Sequence, residues 1–168
     1  EIETTFGDGP VDPAQAHKLV YLQAVIDEVS RLRPVANIVS RRLTRPMTLG
    51  GYDLPAGTVV LPSPTIMHYR EDLWPDPEAF NPERFVGTRP SPFHFFPFGG
   101  GSRACLGRPF AATQMRIVLA EVIRRADITL APNCATKNAM NGVLIGPSDA
   151  VPMQVLSVDG ARRAPMAA

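Results

Sequence analysis

The chain has 168 residues, of which 45% are hydrophobic and 20% charged, and its formal net charge is +1. This composition is typical of a globular domain, and without a basic stripe it argues against a nucleic-acid partner. No apolar run approaches the roughly 18 residues of a membrane helix, two cysteines are too few for a secreted disulfide framework, and zinc-ligand spacing is absent. We therefore expect a cytoplasmic location, with an upstream membrane anchor left open.

Two helices are predicted before residue 35. Asp12-Pro13 is a typical helix start. The stronger pattern covers Val20–Leu32, in which apolar residues recur every three or four positions, and Pro34 ends it. The first residues, EIETTFG, open in mid-pattern without a methionine or a cap. We therefore expect the chain to be a piece of a longer protein.

A small antiparallel sheet and a proline-rich coil are predicted next. Strands at 47–54 and 58–61 contain or follow glycine turns, which favours antiparallel pairing between them. A short helix is predicted at 65–70. The stretch WPDPEAFNPERF, residues 74–85, has neither a helical nor a strand period and is predicted to be ordered coil.

The remainder of the chain predicts a long helix followed by strands. Apolar residues recur at helical spacing over 106–125. Strands are predicted at Asp127–Leu130 and Met153–Val158, with a turn at Asn141-Gly142 between them. Residues 159–168 are expected to form a disordered tail. The fold class predicted is mainly α with small antiparallel β-sheets (α+β).

The segment FFPFGGGSRACLGRPF, residues 95–110, places a cysteine in a run of glycines flanked by arginines and aromatic residues. Its glycines fit a relaxed dinucleotide-binding fingerprint, which needs a buried strand before it and an acidic residue ending the next strand. Pro97 interrupts that strand, and Glu121 falls inside the predicted helix. A nucleophile elbow at Ser102 would need a histidine later in the chain, but all three histidines lie upstream. Both interpretations are therefore disfavoured.

The remaining interpretation makes Cys105 a metal ligand. A following helix N-terminus, together with Arg103 and Arg108, supplies positive potential that favours a thiolate. Amides freed by glycine turns can donate hydrogen bonds to the sulfur. A single thiolate among apolar neighbours suits haem iron better than structural zinc, which takes four ligands. On the residues alone, a small buried cysteine in a tight glycine turn is an equally good alternative.

Three signatures in this sequence resemble those of the cytochrome P-450 monooxygenases. Residues 98–107 match the haem-binding pattern F-x-x-G-x-R-x-C-x-G position for position. Glu28–Arg31 resembles the E-x-x-R pair of that family, and Pro82–Phe85 resembles its P-E-R-F element. The resemblance covers residues 1–158 and implies the C-terminal, proximal haem-binding part of that fold, without its upstream helices.

The resemblance also implies a site. Haem b would take Cys105 as its axial iron ligand, and a buried structural network would join Glu28, Arg31 and Arg84. The other residues implied to contact haem are Phe98, Gly101, Arg103, Gly107, Arg41 and His68. The residues implied to face the substrate are Val35, Ala36, Ile38, Met140 and Val143.

The implied activity is insertion of one oxygen atom from dioxygen into a hydrophobic organic substrate, with electrons from a ferredoxin-like or flavin-containing donor. Residues that could supply a basic docking face are Arg108, Arg116, Arg124 and Arg125. The family activates oxygen with an acid–threonine pair on a distal helix. Residues 3–5 imitate this pair but lie too close to Glu28, so we expect the distal half to be absent and the isolated chain inactive. The alternative is a truncated, non-catalytic remnant that binds haem weakly or not at all.

Overall fold

The computed structural model describes residues 1–142, 144–158 and 161–162. Its α-helices are α1 (Ile2–Phe6), α2 (Val20–Leu32), α3 (Pro64–His68) and α4 (Arg108–Arg125). Short 3-10 helices cover Pro13–Lys18, Pro82–Phe85 and Gly101–Arg103. The strands are β1 (Arg41–Arg42), β2 (Met47–Leu49), β3 (Tyr52–Leu54), β4 (Val59–Val60), β5 (Ala126–Leu130), β6 (Asn138–Asn141), β7 (Leu144–Pro147), β8 (Met153–Val158) and β9 (Ala161–Arg162). The predicted α+β class is confirmed.

Helix α2 has the predicted bounds and organises the core on its two sides. Its first free amides, those of Tyr21 and Leu22, donate to the two carboxylate oxygens of Glu1 at 2.8 and 3.0 Å. A negative charge at this position satisfies orphan N–H groups and complements the helix dipole. On one side, a buried cluster packs α2 against α4 and comprises Val11, Leu19, Leu22, Ile26 and Ala120.

The other side of α2 carries an aromatic cluster that holds the proline-rich coil. Ala24 of the helix is buried with Trp74, Phe85 and Phe95. The ring centroids of Phe85 and Phe95 lie 4.9 Å apart, and those of Trp74 and Phe85 lie 5.7 Å apart. Aromatic pairs at these distances add to the stability from area burial. The coil predicted at 74–85 therefore lies against α2, and it ends in a 3-10 helix.

The predicted pairing between strands 47–54 and 58–61 is wrong. Strands β2 and β3 form a hairpin around Gly50-Gly51, where both φ angles are positive. Strand β4 pairs instead with β1, which the sequence pattern did not identify. The turn at Gly57, with φ +87°, brings its amide to the carbonyl of Leu43 at 2.8 Å and so directs β4 to β1.

The C-terminal region contains the two predicted strands and one hairpin that was missed. Strands β5 and β8 pair antiparallel, and β8 also pairs with β9. Between them β6 and β7 form a hairpin across the predicted turn at Asn141-Gly142. Of the segment predicted to be disordered, 161–162 form β9, and 159–160 and 163–168 lie outside the described residues. Among the described helices, none combines the length and apolar character of a bilayer-crossing segment.

Candidate functional site

Backbone hydrogen bonds and glycines determine the shape of the cysteine loop, residues 96–107. The amide of Gly99 donates to the carbonyl of Phe96 at 2.9 Å, and the amide of Cys105 donates to the carbonyl of Phe98 at 2.9 Å. Gly99 and Gly101 have φ angles of +72° and +67°, which residues other than glycine rarely adopt. The loop therefore places Cys105 by backbone bonds that depend on glycine.

The thiol of Cys105 is exposed, and α4 begins three residues after it. The first free amides of that helix and its dipole create positive potential near the sulfur. Around it, the side chains of Leu106 and Phe110 are 97% and 74% exposed. A methyl group at Gly107 would lie 3.7 Å from the sulfur, so glycine leaves that side open. In the part of the chain that the structure describes, Cys105 is therefore not buried, as the alternative interpretation would require.

Arginines approach the loop from two elements. Arg41 of β1 donates from Nη2 to the carbonyl of Gly100 at 3.2 Å, which ties the strand to the loop. The guanidinium of Arg108 lies 6.0 Å from the ring centroid of Phe98, within cation–π range. Arg103 is exposed within the loop itself. Arg41, Arg103 and Arg108 thus all lie at or beside the cysteine loop.

His68 does not have the position expected of a haem contact. It is the last residue of α3 and is fully buried. Its Nδ1 lies 3.2 Å from the carbonyl oxygen of Arg31, and its Nε2 accepts a hydrogen bond from the amide of Phe96 at 3.2 Å. Both ring nitrogens are engaged with protein backbone, so neither is available to a haem propionate. Burial lowers the pKa of His68 to about 4; the hydrogen bond to the carbonyl of Arg31 opposes this shift, and repulsion from the Arg31 charge adds to it.

Glu28, Arg31 and Arg84 form the expected three-residue network. Arg31 donates from Nε and Nη2 to the two oxygens of Glu28 at 2.7 and 2.8 Å, and Arg84 donates from Nε at 3.1 Å. The amide of Asn81 adds a bond at 2.9 Å. Burial raises the pKa of Glu28, but the hydrogen bonds from Arg31 and Asn81 and the two positive charges outweigh it, and the net shift is downward. Since the side chains of Glu28 and Arg31 are fully buried, this is no surface ion pair.

The same two arginines also bind carbonyl groups of the coil. Arg31 donates to the carbonyls of His68 and Pro77, each at 2.8 Å. Arg84 donates to those of Pro75 and Asp76 at 2.9 and 3.2 Å. Sequence reasoning missed these acceptors, because every residue carries a carbonyl group and no side-chain pattern marks the ones that a guanidinium reaches.

The two segments expected to face substrate lie side by side. The amide of Ile145 donates to the carbonyl of Val35 at 2.6 Å, and Ala36 forms an isolated bridge with Leu144. Val35, Ile38 and Met140 are exposed apolar side chains. Val143, the fifth residue expected there, lies outside the described residues.

The expected basic face on α4 is largely engaged by the chain itself. Arg116 donates to the carbonyl of Ala16 at 3.2 Å, and Arg124 donates to that of Gly7 at 3.3 Å. Arg125 pairs with Glu121 at 3.0 Å. The bonds of Arg116 and Arg124 anchor the N-terminal segment on α4, whereas the pair of Arg125 and Glu121 lies within the helix.

The residues of the cysteine loop fit haem as the bound group. Within the part of the chain that the structure describes, no group of three or more histidine, cysteine or acidic residues could hold a metal ion. Haem iron needs a single protein ligand on one face, and a thiolate can serve as that ligand. Cys105 offers an exposed thiol bordered by apolar side chains and cations, as a flat apolar ring with acidic substituents requires.

Comparison with known proteins connects this geometry to one family. The family model for cytochrome P450 matches residues 1–152. The putative cytochrome P450 135B1 of Mycobacterium tuberculosis is 42% identical over 127 residues, which cover 76% of this chain and 27% of that protein. Cytochrome P450 714B2 of Oryza sativa subsp. japonica is 32% identical over 164 residues, covering 97% of this chain and 31% of that protein.

A solved structure shows the same arrangement. Retinoic acid-bound cyanobacterial CYP120A1 superposes with a TM-score of 0.80 and 33% sequence identity, over 88% of this chain and 35% of that one. This chain therefore spans about a third or less of the length of the proteins that it matches. The extent of the family match, together with the structural similarity, shows that the chain belongs to the cytochrome P450 family.

Proposed function

We propose that this chain is the haem-binding portion of a monooxygenase that inserts one oxygen atom from dioxygen into a hydrophobic organic substrate. The observation that carries the proposal is the exposed thiol of Cys105 in a positive-φ glycine loop at the start of α4. When bound, thiolate-ligated haem supplies dioxygen activation, because the thiolate donates electron density that favours O–O cleavage. Cytochrome P450 enzymes of this kind use haem b.

The loop and its neighbours have distinct roles in this proposal. Cys105 ligates the iron, and the half-buried ring of Phe98 shields the sulfur from water. Arg41 and Arg103 bind the haem propionates, because guanidinium groups pair well with carboxylates. Gly101 allows the positive φ angle that the loop needs, and Gly107 places no side chain beside the sulfur. The Glu28 network holds the coil and takes no part in the chemistry.

An apolar substrate agrees with the exposed side chains on the adjoining segments. Val35, Ile38 and Met140 present apolar surface on two segments that are joined by backbone pairing. The similar protein CYP120A1 was solved with retinoic acid bound, and retinoic acid is a largely apolar carboxylic acid. We extend to this chain only the apolar class of substrate.

The electron donor in this proposal is an acidic ferredoxin-like or flavin-containing protein. A groove of about 430 Å³ runs between α2, the coil and α4 beside Phe98. Its charged lining residues are Arg89, Arg108 and Arg116 with one carboxylate, Asp27. An excess of positive charge beside the cysteine loop favours an acidic partner.

The proposal is tested in the full-length parent protein by exchanging each cysteine. Cys105→Ala should abolish the absorption spectrum of thiolate-ligated haem, since the iron ligand is lost. Cys134→Ala is the matched control: this half-buried cysteine lies after Asn133 in a separate turn, and its removal should leave the spectrum intact. Equal spectral loss in both variants would refute the assignment of Cys105.

A further inference from the structure

His68 joins the end of α2 to the segment that enters the cysteine loop. Its ring is fully buried among the rings of Trp74, Phe95 and Phe96, whose centroids lie 6.3, 5.3 and 5.7 Å away. Its backbone carbonyl accepts from Arg31 at 2.8 Å. The proposed function gives this histidine no task, although a buried imidazole must find partners for both ring nitrogens.

The partners of His68 determine which ring nitrogen carries the proton. The amide of Phe96 can only donate, so Nε2 must be an acceptor. The carbonyl of Arg31 can only accept, so Nδ1 must carry hydrogen and donate. That carbonyl lies in the last turn of α2, where helical acceptors lack partners within the helix. The neutral imidazole is thus a directional link between an orphan carbonyl and a loop amide.

From Phe96 the backbone leads directly to the sulfur-bearing residue. The carbonyl of Phe96 accepts from the amide of Gly99 and closes the turn that carries Phe98. The carbonyl of Phe98 in turn accepts from the amide of Cys105. Fixing the amide of Phe96 therefore fixes the start of a two-bond path that ends at the backbone of Cys105.

We propose that His68 is a positioning residue for the Cys105 site, which it orients by bridging the carbonyl of Arg31 and the amide of Phe96. The inference rests on the proposed function, because it takes Cys105 to be the haem ligand. It makes the link to Phe96, and not the bulk of the imidazole ring, the feature on which haem retention depends.

Two substitutions in the full-length haem-loaded protein separate the two bonds. In His68→Asn the shorter amide can still donate to the carbonyl of Arg31 but cannot reach the amide of Phe96. In His68→Gln the longer side chain places an acceptor where Nε2 stood. Exposed His94, two residues before Phe96, provides the matched control His94→Gln.

The measurements are the haem dissociation rate and the thiolate signature of the ferrous carbonyl complex, recorded on folded protein. We expect dissociation to be about tenfold or more faster in His68→Asn, as for the loss of other outer-sphere partners, with loss of part of the thiolate signature. His68→Gln should retain haem and signature close to the wild type, as should His94→Gln. Equal effects of the two His68 variants, or no effect of either, would overturn the proposal.

A measurement on the wild type tests the hydrogen bond between His68 and Phe96 even if both variants fail to fold. Nitrogen NMR of the diamagnetic ferrous carbonyl protein should show His68 neutral with its proton on Nδ1. A proton on Nε2 would rule out the bond from Phe96 and with it the positioning role. Failure of the proposed function is seen separately, since Cys105→Ala would then retain the thiolate spectrum whatever the result at His68.

Discussion

Removing Arg84 should destabilise the fold without changing the chemistry at the sulfur. Arg84→Ala deletes the bond of 3.1 Å to Glu28 and the bonds to the carbonyls of Pro75 and Asp76. Glu28 keeps both bonds from Arg31, so its charge stays paired. We therefore expect a loss of about 1.5–3 kcal/mol in the free energy of unfolding, the range for a hydrogen bond to a charged group.

Arg31→Ala should cost more, because it removes two bonds to a carboxylate with no solvent exposure. The expected loss is about 3–5 kcal/mol, as for other buried ion pairs that lose one partner. The difference between the two arginines follows from the number of bonds that each makes to Glu28.

The assay is urea unfolding of the full-length haem protein, followed by far-UV circular dichroism and by haem absorption. A double-mutant cycle between positions 28 and 84 should give a coupling energy of about 0.5–3 kcal/mol, as for other residues in contact. Arg70→Ala is the control: its ion pair with Asp72 is exposed, so the change should be at most about 1 kcal/mol. Additive effects at positions 28 and 84 would refute the network.

Three further predictions concern pH, the loop and the chain by itself. The pKa of buried His68 is about 4, against an ordinary 6.5, so the unfolded state binds a proton first as pH falls. The free energy of unfolding should therefore decline by up to about 3 kcal/mol between about pH 6.5 and pH 4. Urea unfolding of His68→Gln should show no such decline in this window. Gly101→Ala, at φ +67°, should cost about 1–2 kcal/mol and weaken haem binding, whereas Gly100→Ala, at φ −152°, should be tolerated in the same thermal-unfolding and haem-titration assays. The isolated 168-residue chain, given haem and a reducing partner, should show no sustained oxygen-dependent turnover, because nothing in the described part of the chain covers the exposed side chains of Leu106 and Phe110 beside the thiol and excludes water there. Tightly coupled product formation would contradict this.

Local patterns in the sequence were sufficient for the long helices. The apolar spacing in α2 predicted both of its ends, and that in α4 predicted its end at Arg125. Helix α4 begins two residues later than predicted, with Pro109 in its first turn, where a missing amide costs nothing. Such elements are predictable because the residues that determine them lie within one or two helical turns of each other.

The cysteine loop was also identified from the sequence, but its state was not. The spacing of Phe98, Gly101, Arg103, Cys105 and Gly107 matched a family signature. The residues alone left open whether the thiol was buried or exposed. The fold decides this, since exposure depends on which distant segments pack over the loop.

Strand pairing and the role of His68 were decided only by tertiary structure. Strand β4 pairs with β1 across a long connection, and no local period encodes that choice. The resemblance implied that His68 contacts haem, yet it is buried among aromatic rings and bonded to two backbone groups. Sequence determines which side chains can donate, accept or carry charge. Only the fold determines which backbone groups, distant in the chain, those side chains contact. Because hydrogen bonds form only over short distances, these contacts determine what each side chain does.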